Sequence, residues 1–483
     1  MDLESIYGAI DAAYSNHLKK IQDFIRQPSI STENVGMKET EQLVLSYYHD
    51  LGCDIAEIVP TPGHSVVYGE YNVGAAYTLL IYFMHDVQPV DESKWSVPPF
   101  GGHIVDMELP DGIYKVLMNR GVSNTKSPCR CFLNAMETIK VVEGELPVNL
   151  IFVSEGEEEL GSVNLPGFVK QYKEKLSKAN STIMPLAQQN RYGQVNMDLG
   201  VKGIVYWELE CSGESWGRGP TKFDIHGSNK TWMDSPVWRL IHSLKTMTSD
   251  DGNTILIDHF YDKVKPLSPE NLELIDRFIQ EGHAEAFVNN AMDVFQCHTF
   301  IDDLQNTDLH ALLTKYLASP TLNIDGIFGG WTGPGTKTLL PHKATVKMDS
   351  RIVPDQDSKD IIPLIRNHLD KHGFVDIKIK NLSNYEWVHT SVKAPIVRAA
   401  IKTYQSFGYT PAILPWRPGS APFYLFNRIL NQPVCFLGLG HGSRHHSPDE
   451  YFVVEAPPGG KVGGIREFEK SCVAFLHYYS IQS

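Results

Sequence analysis

The sequence predicts an α/β protein, an open mixed sheet flanked by helices, interrupted by an inserted α+β unit. Three observations predict it. Residues 76–84 (AYTLLIYFM) and 148–154 (VNLIFVS) are near-continuous apolar runs, as expected of strands buried on both faces of a parallel sheet. Residues 205–211 (VYWELEC) and Lys343–Ile352 alternate instead, as half-exposed antiparallel strands do. A short apolar strand, Val434–Leu437, then restores the first character near the C-terminus.

Taken in order, residues 5–27 read as an amphipathic helix, with Ile6, Ile10, Ala13, Tyr14, Leu18, Ile21, Phe24 and Ile25 at helical spacing. A helix around 37–51 ends near Gly52, and strand Ile55–Val59 follows. The two buried strands flank a helix at 126–142, and open sheets of this kind bind ligands beyond the carboxyl ends of their strands. After Gly203 come strand 205–211, a helix at 234–248, a charged segment at 249–315, strand Lys343–Ile352 and a helix at 357–372. Antiparallel strands with helices to one side make a separate α+β unit. A helix at 393–406, a glycine-rich turn at 417–420, strand Val434–Leu437 and a terminal helix at 463–480 complete the chain. The expected division is 1–203 and 389–483 as one α/β domain, with 204–388 inserted into it.

A chain of 483 residues with 42% hydrophobic and 21% charged residues buries a full core. Its net charge of −14 speaks against a broad nucleic-acid or anionic-membrane surface, which needs clustered Lys and Arg. Seven scattered cysteines, an odd number, fit reduced thiols rather than a disulfide framework. The first twenty residues carry Asp2, Glu4 and Asp11 and no long apolar stretch, so neither a signal peptide nor a membrane span is expected. The expected location is the cytoplasm.

Acids and histidines stand where the buried strands end. The first strand runs into Met84-His85-Asp86, and the second into Glu155-Gly156-Glu157-Glu158-Glu159. Near the C-terminus lies His441-Gly442-Ser443-Arg444-His445-His446. Four carboxylates in five residues repel one another unless they are solvated, protonated or bound to cations. The residues alone leave a solvated acidic loop and a cation site both open.

Taken together, Asp86-Val87-Gln88-Pro89, Arg120-Gly121 with Lys126, Glu155 to Ser162, Asp224-Ile225-His226, Arg351-Ile352-Val353-Pro354, Gly419-Ser420 and His446-Ser447-Pro448-Asp449-Glu450 resemble a known family. It is the zinc peptidase family of carnosinase, acetylornithine deacetylase, aminoacylase and the glutamate carboxypeptidases, and the likeness is to its carnosinase-like branch. The resemblance implies a phosphorylase/hydrolase-like sheet with a ferredoxin-like lid and dimerisation domain, and a homodimer. It implies two zinc ions sharing a carboxylate and an activated water. Glu158 would be the general base, Glu159 and His446 ligands of one zinc, and Asp86 the acid that orients the first ligand histidine. His226 would stabilise the oxyanion, and Arg351, with Gly419 and Ser420, would hold a substrate carboxylate.

Against that pattern, Met84 stands where the first ligand histidine belongs, and alternation turns the adjacent His85 to the opposite face. Asn124 replaces the bridging aspartate, and no Asp, Glu or His occurs from Lys175 to Met197, where the last aspartate belongs. One zinc position thus loses all three of its ligands. The other keeps Glu159 and His446, with the Asn124 oxygen as a weak third. The expected cofactor is one zinc ion or none. Two functions follow: a hydrolase of small amides, of dipeptidase, carboxypeptidase or N-deacylase type, or a catalytically inactive homologue that binds a small carboxylate ligand or a partner subunit.

Overall fold

The computed structural model describes residues 1–482. Helix α1 (Leu3–Arg26) begins where the Asp2 side chain accepts from the Ser5 N–H, and buries Ile6, Ile10, Ile21, Phe24 and Ile25. Helix α2 (Met37–Leu51) stops at Gly52, whose φ of 80° lets its N–H turn back to Tyr48 and His49. Strands β1 (Ile55–Val59) and β2 (Val66–Tyr71) follow, then β3 (Thr78–Met84). A hairpin of β4 (His103–Leu109) and β5 (Gly112–Met118) precedes α3 (Ser127–Glu143), β6 (Asn149–Glu155) and β7 (Ser181–Pro185). Next come β8 (Gly203–Ser212) and α4 (Pro236–Met247). The segment 249–315, expected only as charged, holds the helices Pro269–Gln280 and His283–Phe295 and the start of Leu309–Ala318. Strands β9 (Asn323–Phe328) and β10 (Lys343–Ile352), helix α5 (Ser358–Lys371) and β11 (Lys378–Tyr385) follow. The chain closes with α6 (Pro395–Ser406), β12 (Val434–Leu437), β13 (Tyr451–Glu455) and α7 (Ile465–Ser480).

Two compact units result. The first joins Met1–Gly200 to His389–Pro415 and to the chain from Pro422 onward. Its main sheet has the order β1-β2-β6-β3-β7-β12. Strands β6, β3, β7 and β12 run parallel, in the register Met84↔Glu155 and Leu437↔Pro185, whereas β1 and β2 form an antiparallel edge. A second sheet lines up the short strand Gly442–Ser443 with β13, β5 and β4. Helices α1, α3 and α7 are tied by a buried polar group, in which Glu469 takes His17 Nδ1 at 2.7 Å and Asn134 Nδ2 at 2.9 Å.

The second unit comprises Val201–Val388 and Trp416–Ala421. Its antiparallel sheet has the order β9-β10-β8-β11. The alternation read from the sequence is realised: Val205, Trp207, Leu209 and Cys211 point inward, whereas Tyr206 is exposed. Those residues meet Leu240 and Met247 of α4 and Ile361, Ile365 and Leu369 of α5. Trp207 is the largest fully buried side chain, and its Nε1–H donates to Ser350 Oγ at 3.1 Å. Trp207→Ala leaves a cavity and is expected to cost about 3–5 kcal/mol, read from chemical denaturation of the full chain.

Candidate functional site

Because β6, β3, β7 and β12 run parallel, the segments that leave them share one edge of the sheet. Met84 closes β3 as an apolar core residue, 2% exposed. His85 turns away as alternation requires. Its Nδ1 meets Ser154 Oγ at 2.9 Å, and burial pushes it down to about 3, so it stays neutral. Gly156 makes room for this ring, since a Cβ there would lie 2.8 Å from His85 Nε2.

The acidic run is neither wholly solvated nor wholly free for cations. Glu155 is buried and takes the Tyr82 hydroxyl and Ser162 Oγ, and burial pushes it up to about 8. Glu157 accepts from the His64 N–H at 2.8 Å and from Asn164 Nδ2 at 2.8 Å. Glu158 and Glu159 follow at the sheet edge, where the residues keep some exposure but the Glu159 side chain is enclosed. Their turn is capped by the buried Asp86, which takes Ser31 Oγ at 2.8 Å and the N–H groups of Glu158 and Glu159 at 3.2 and 3.0 Å. Burial, then the Glu159 charge, pushes Asp86 up to about 7. Asp86 therefore positions the two glutamates; no ligand histidine is there for it to orient. Among the described residues, the Glu158 carboxylate has no hydrogen-bond partner, and burial with its acidic neighbours holds it well above the usual carboxylate range.

The loop after β5 is held by one buried carboxylate. Glu450 Oε2 takes Arg120 Nη1 and the Gly121 N–H, both at 2.9 Å. Its Oε1 takes the N–H groups of Ser123 and Asn124 at 2.9 and 3.0 Å. Arg120 also lies over the Trp95 ring, 5.1 Å from its centroid. The loop leads on to Lys126, whose buried ammonium donates to Gln27 O at 2.6 Å. So positioned, Asn124 directs Nδ2 to Glu159 Oε1 at 3.2 Å and to His446 Nε2 at 3.3 Å. His446 Nε2 is 3.1 Å from Glu159 Oε2, and that contact raises the imidazole above its usual range.

Gln88, which the residue-by-residue reading passed over, donates from Nε2 to the same Glu159 oxygen at 2.7 Å. Its signal was available, since it lies two residues beyond Asp86 on one extended segment. His445 contacts Ser123 Oγ instead. At the end of β7 the chain continues through Leu186 to Gln189, where Gln189 Oε1 accepts from the N–H groups of Gly440 and Gly463. Among the described residues, no three His, Cys, Asp or Glu side chains converge as metal ligands. A pair of zinc ions does not fit this donor set, with one carboxylate, one imidazole and an amide that presents its nitrogen.

The second unit holds the other expected residues. Arg351 on β10 directs Nη1 to Ser420 Oγ at 2.8 Å, with Nε 3.4 Å from Asp349. Ser420 Oγ in turn donates to Lys202 O at 2.7 Å. A Cβ at Gly419 would meet the aliphatic carbons of Arg417 at 3.7 and 3.9 Å, an ordinary contact. His226 sits elsewhere in this unit, exposed on the ribbon Ile225–His226 with Leu339–Leu340, its Nδ1 2.8 Å from Ser228 Oγ. The structure thus brings Asp86, Asn124, Glu158, Glu159 and His446 together in one unit, and Arg351, Gly419 and Ser420 together in the other.

Residues 80–460 match the model of Peptidase family M20/M25/M40. The Cys-Gly metallodipeptidase DUG1 of Saccharomyces cerevisiae is 26% identical, over 99% of this chain and 98% of that protein. The human Beta-Ala-His dipeptidase is 26% identical, over 75% of this chain and 68% of that protein. The structure of an M20 family metallo-carboxypeptidase, Sso-CP2 of Sulfolobus solfataricus, superimposes with a TM-score of 0.83 at 32% identity, covering 96% of this chain and 99% of that one.

Two outcomes follow from this geometry. Glu450→Ala leaves Arg120 buried and unpaired, 3% exposed, and is expected to cost about 3–5 kcal/mol in a denaturant titration. Glu155 keeps a proton in the folded state that the unfolded chain loses near 4.5, so its contribution to stability falls as pH rises from 4.5 to about 8. Glu155→Gln, which stays neutral, should flatten the melting-temperature profile across that window.

Proposed function

Since this chain belongs to Peptidase family M20/M25/M40, we propose that it takes small amides ending in a carboxylate, dipeptides or acylated amino acids, and that a zinc pair has no part in what it does with them. Two dipeptidases among the relatives support the ligand class. So does Arg351, whose planar fork suits a carboxylate, with Ser420 and the open backbone at Gly419 beside it. His226 would donate to the amide oxygen, and the inserted residues 204–388 would act as lid and as the pairing surface of a homodimer. The expected setting is the cytoplasm; among the described residues, no helix is long and apolar enough to cross a membrane.

One observation carries the reading that the ligand is bound rather than hydrolysed. Asn124 stands where a bridging carboxylate is expected and offers an N–H group to Glu159, which also takes the His446 ring. A second reading, hydrolysis of the same amides with a single ion, is favoured by Glu158, whose carboxylate has no hydrogen-bond partner among the described residues. Such an ion would be held by Glu159 and His446, and it would supply an activated water. Glu158 would take the proton of the attacking water and pass it to the leaving amine.

Thermal shift with dipeptides and N-acetyl amino acids tests the ligand class. A ligand at a hundred times its Kd should stabilise the chain by about 2.7 kcal/mol, and Arg351→Ala should weaken binding by about 1.5–3 kcal/mol. No shift with any member of either class would sink it. Hydrolysis that both Glu158→Gln and a chelator abolish would establish the second reading instead.

A further inference from the structure

We propose that Gln88 and Asn124 stand in for the cation. Their amide N–H groups, together with the His446 ring, satisfy Glu159, so this half of the site is complete without metal. The inference rests on the site assignment above, and it goes beyond it in naming what fills the metal's place.

The Glu159 side chain is 3% exposed, and a carboxylate so enclosed must be paired and hydrogen-bonded. It has three nitrogen partners: Gln88 Nε2 at 2.7 Å, His446 Nε2 at 3.1 Å and Asn124 Nδ2 at 3.2 Å. A carboxylate offers roughly four lone-pair sites, so little of its capacity is left for an ion. An aspartate at position 124 would set a second negative charge against Glu159 and would need a cation to relieve it. Asparagine, of the same shape, turns that repulsion into a donated hydrogen bond.

The supporting backbone does not depend on metal either. Residues 121–124 are held by Glu450 and residues 158–159 by Asp86, through protein hydrogen bonds. The other half of the expected centre is apolar: Met84 is 2% exposed, and β7 ends in the buried Pro185. The first position is thus met by amide donors, and the second has the buried Met84 and Pro185 at its strand ends rather than ligands.

The test uses the full chain purified without added metal. Zinc is titrated at micromolar concentration by calorimetry, and melting temperature is followed with and without chelator, with a dipeptide arm run in chelator. Wild type should show no saturable uptake and no change in melting temperature with either reagent. Asn124→Asp should melt lower than wild type and recover on adding zinc, and Met84→His with Asn124→Asp should take up zinc that wild type does not. Gln88→Met, which keeps the volume and removes the donor, should melt lower with no rescue by zinc. Circular dichroism checks that each variant folds.

Stoichiometric zinc uptake by wild type that Glu159→Gln removes overturns the proposal, as does a Gln88→Met chain that melts like wild type. A missing dipeptide shift alongside the expected zinc results would sink the ligand class alone and leave this inference standing.

Discussion

One buried carboxylate holds the candidate site in place. Glu450 is 1% exposed and is engaged by the guanidinium of Arg120 and the N–H groups of Gly121, Ser123 and Asn124. Removing such a charge from water is costly, and its position is fixed only where every lone pair is met. The donors come from the loop after β5, and Glu450 itself leads into β13, so the second sheet and the site loop are pinned to each other. Asn124 reaches Glu159 because that loop cannot drift. The same logic applies at Asp86, whose two oxygens gather the N–H groups at the head of the 158–160 turn.

These anchors also explain how a dense acidic run exists at the end of a buried strand. Its members do not share one environment. Glu155 is kept neutral by burial, Glu157 is consumed by backbone and amide donors, and only Glu158 and Glu159 face the edge. Charge repulsion is relieved locally, residue by residue, and the relief needs protein donors at each step. Asn124 and Gln88 belong to that scheme as much as Ser31 and Ser162 do.

Much of the fold was legible because periodicity reports burial. Strands Ile55–Val59, Lys343–Ile352 and Val434–Leu437 have the bounds their patterns give. Strand β2 escaped notice because Gly69 and Glu70 break its apolar run, and β4 because its outward face is polar and mostly exposed. Of the helices in and after 249–315, only Pro269–Gln280 carries the charge, at Glu270, Glu273, Asp276 and Arg277, that gave the segment its character. At the site, Glu158, Glu159 and His446 could be read from the resemblance and Met84 from the strand pattern. Gln88 could be placed by its spacing from Asp86, but that Asn124 donates to Glu159 could not be read, because their two segments meet only in the folded chain. Nor does spacing tell whether an asparagine will offer its oxygen or its nitrogen; the neighbouring carboxylate decides that.

The interrupted first unit has a consequence for how the chain is made. Its sheet lacks β12 and its helical layer lacks α7 until the last quarter of the sequence has emerged. Meanwhile His17 and Asn134, which end up bonded to the buried Glu469, have no acid to meet. On the ribosome the inserted unit, almost wholly contiguous from Val201 to Val388, can close around Trp207 first. The N-terminal two hundred residues must wait, with the β7 edge of their sheet open, and sequence separations above four hundred residues make that late closure slow. The β7 edge thus stays without its partner strand until Val434–Leu437 has been made, well after Val388, and an open edge of that kind is a template for pairing with other chains.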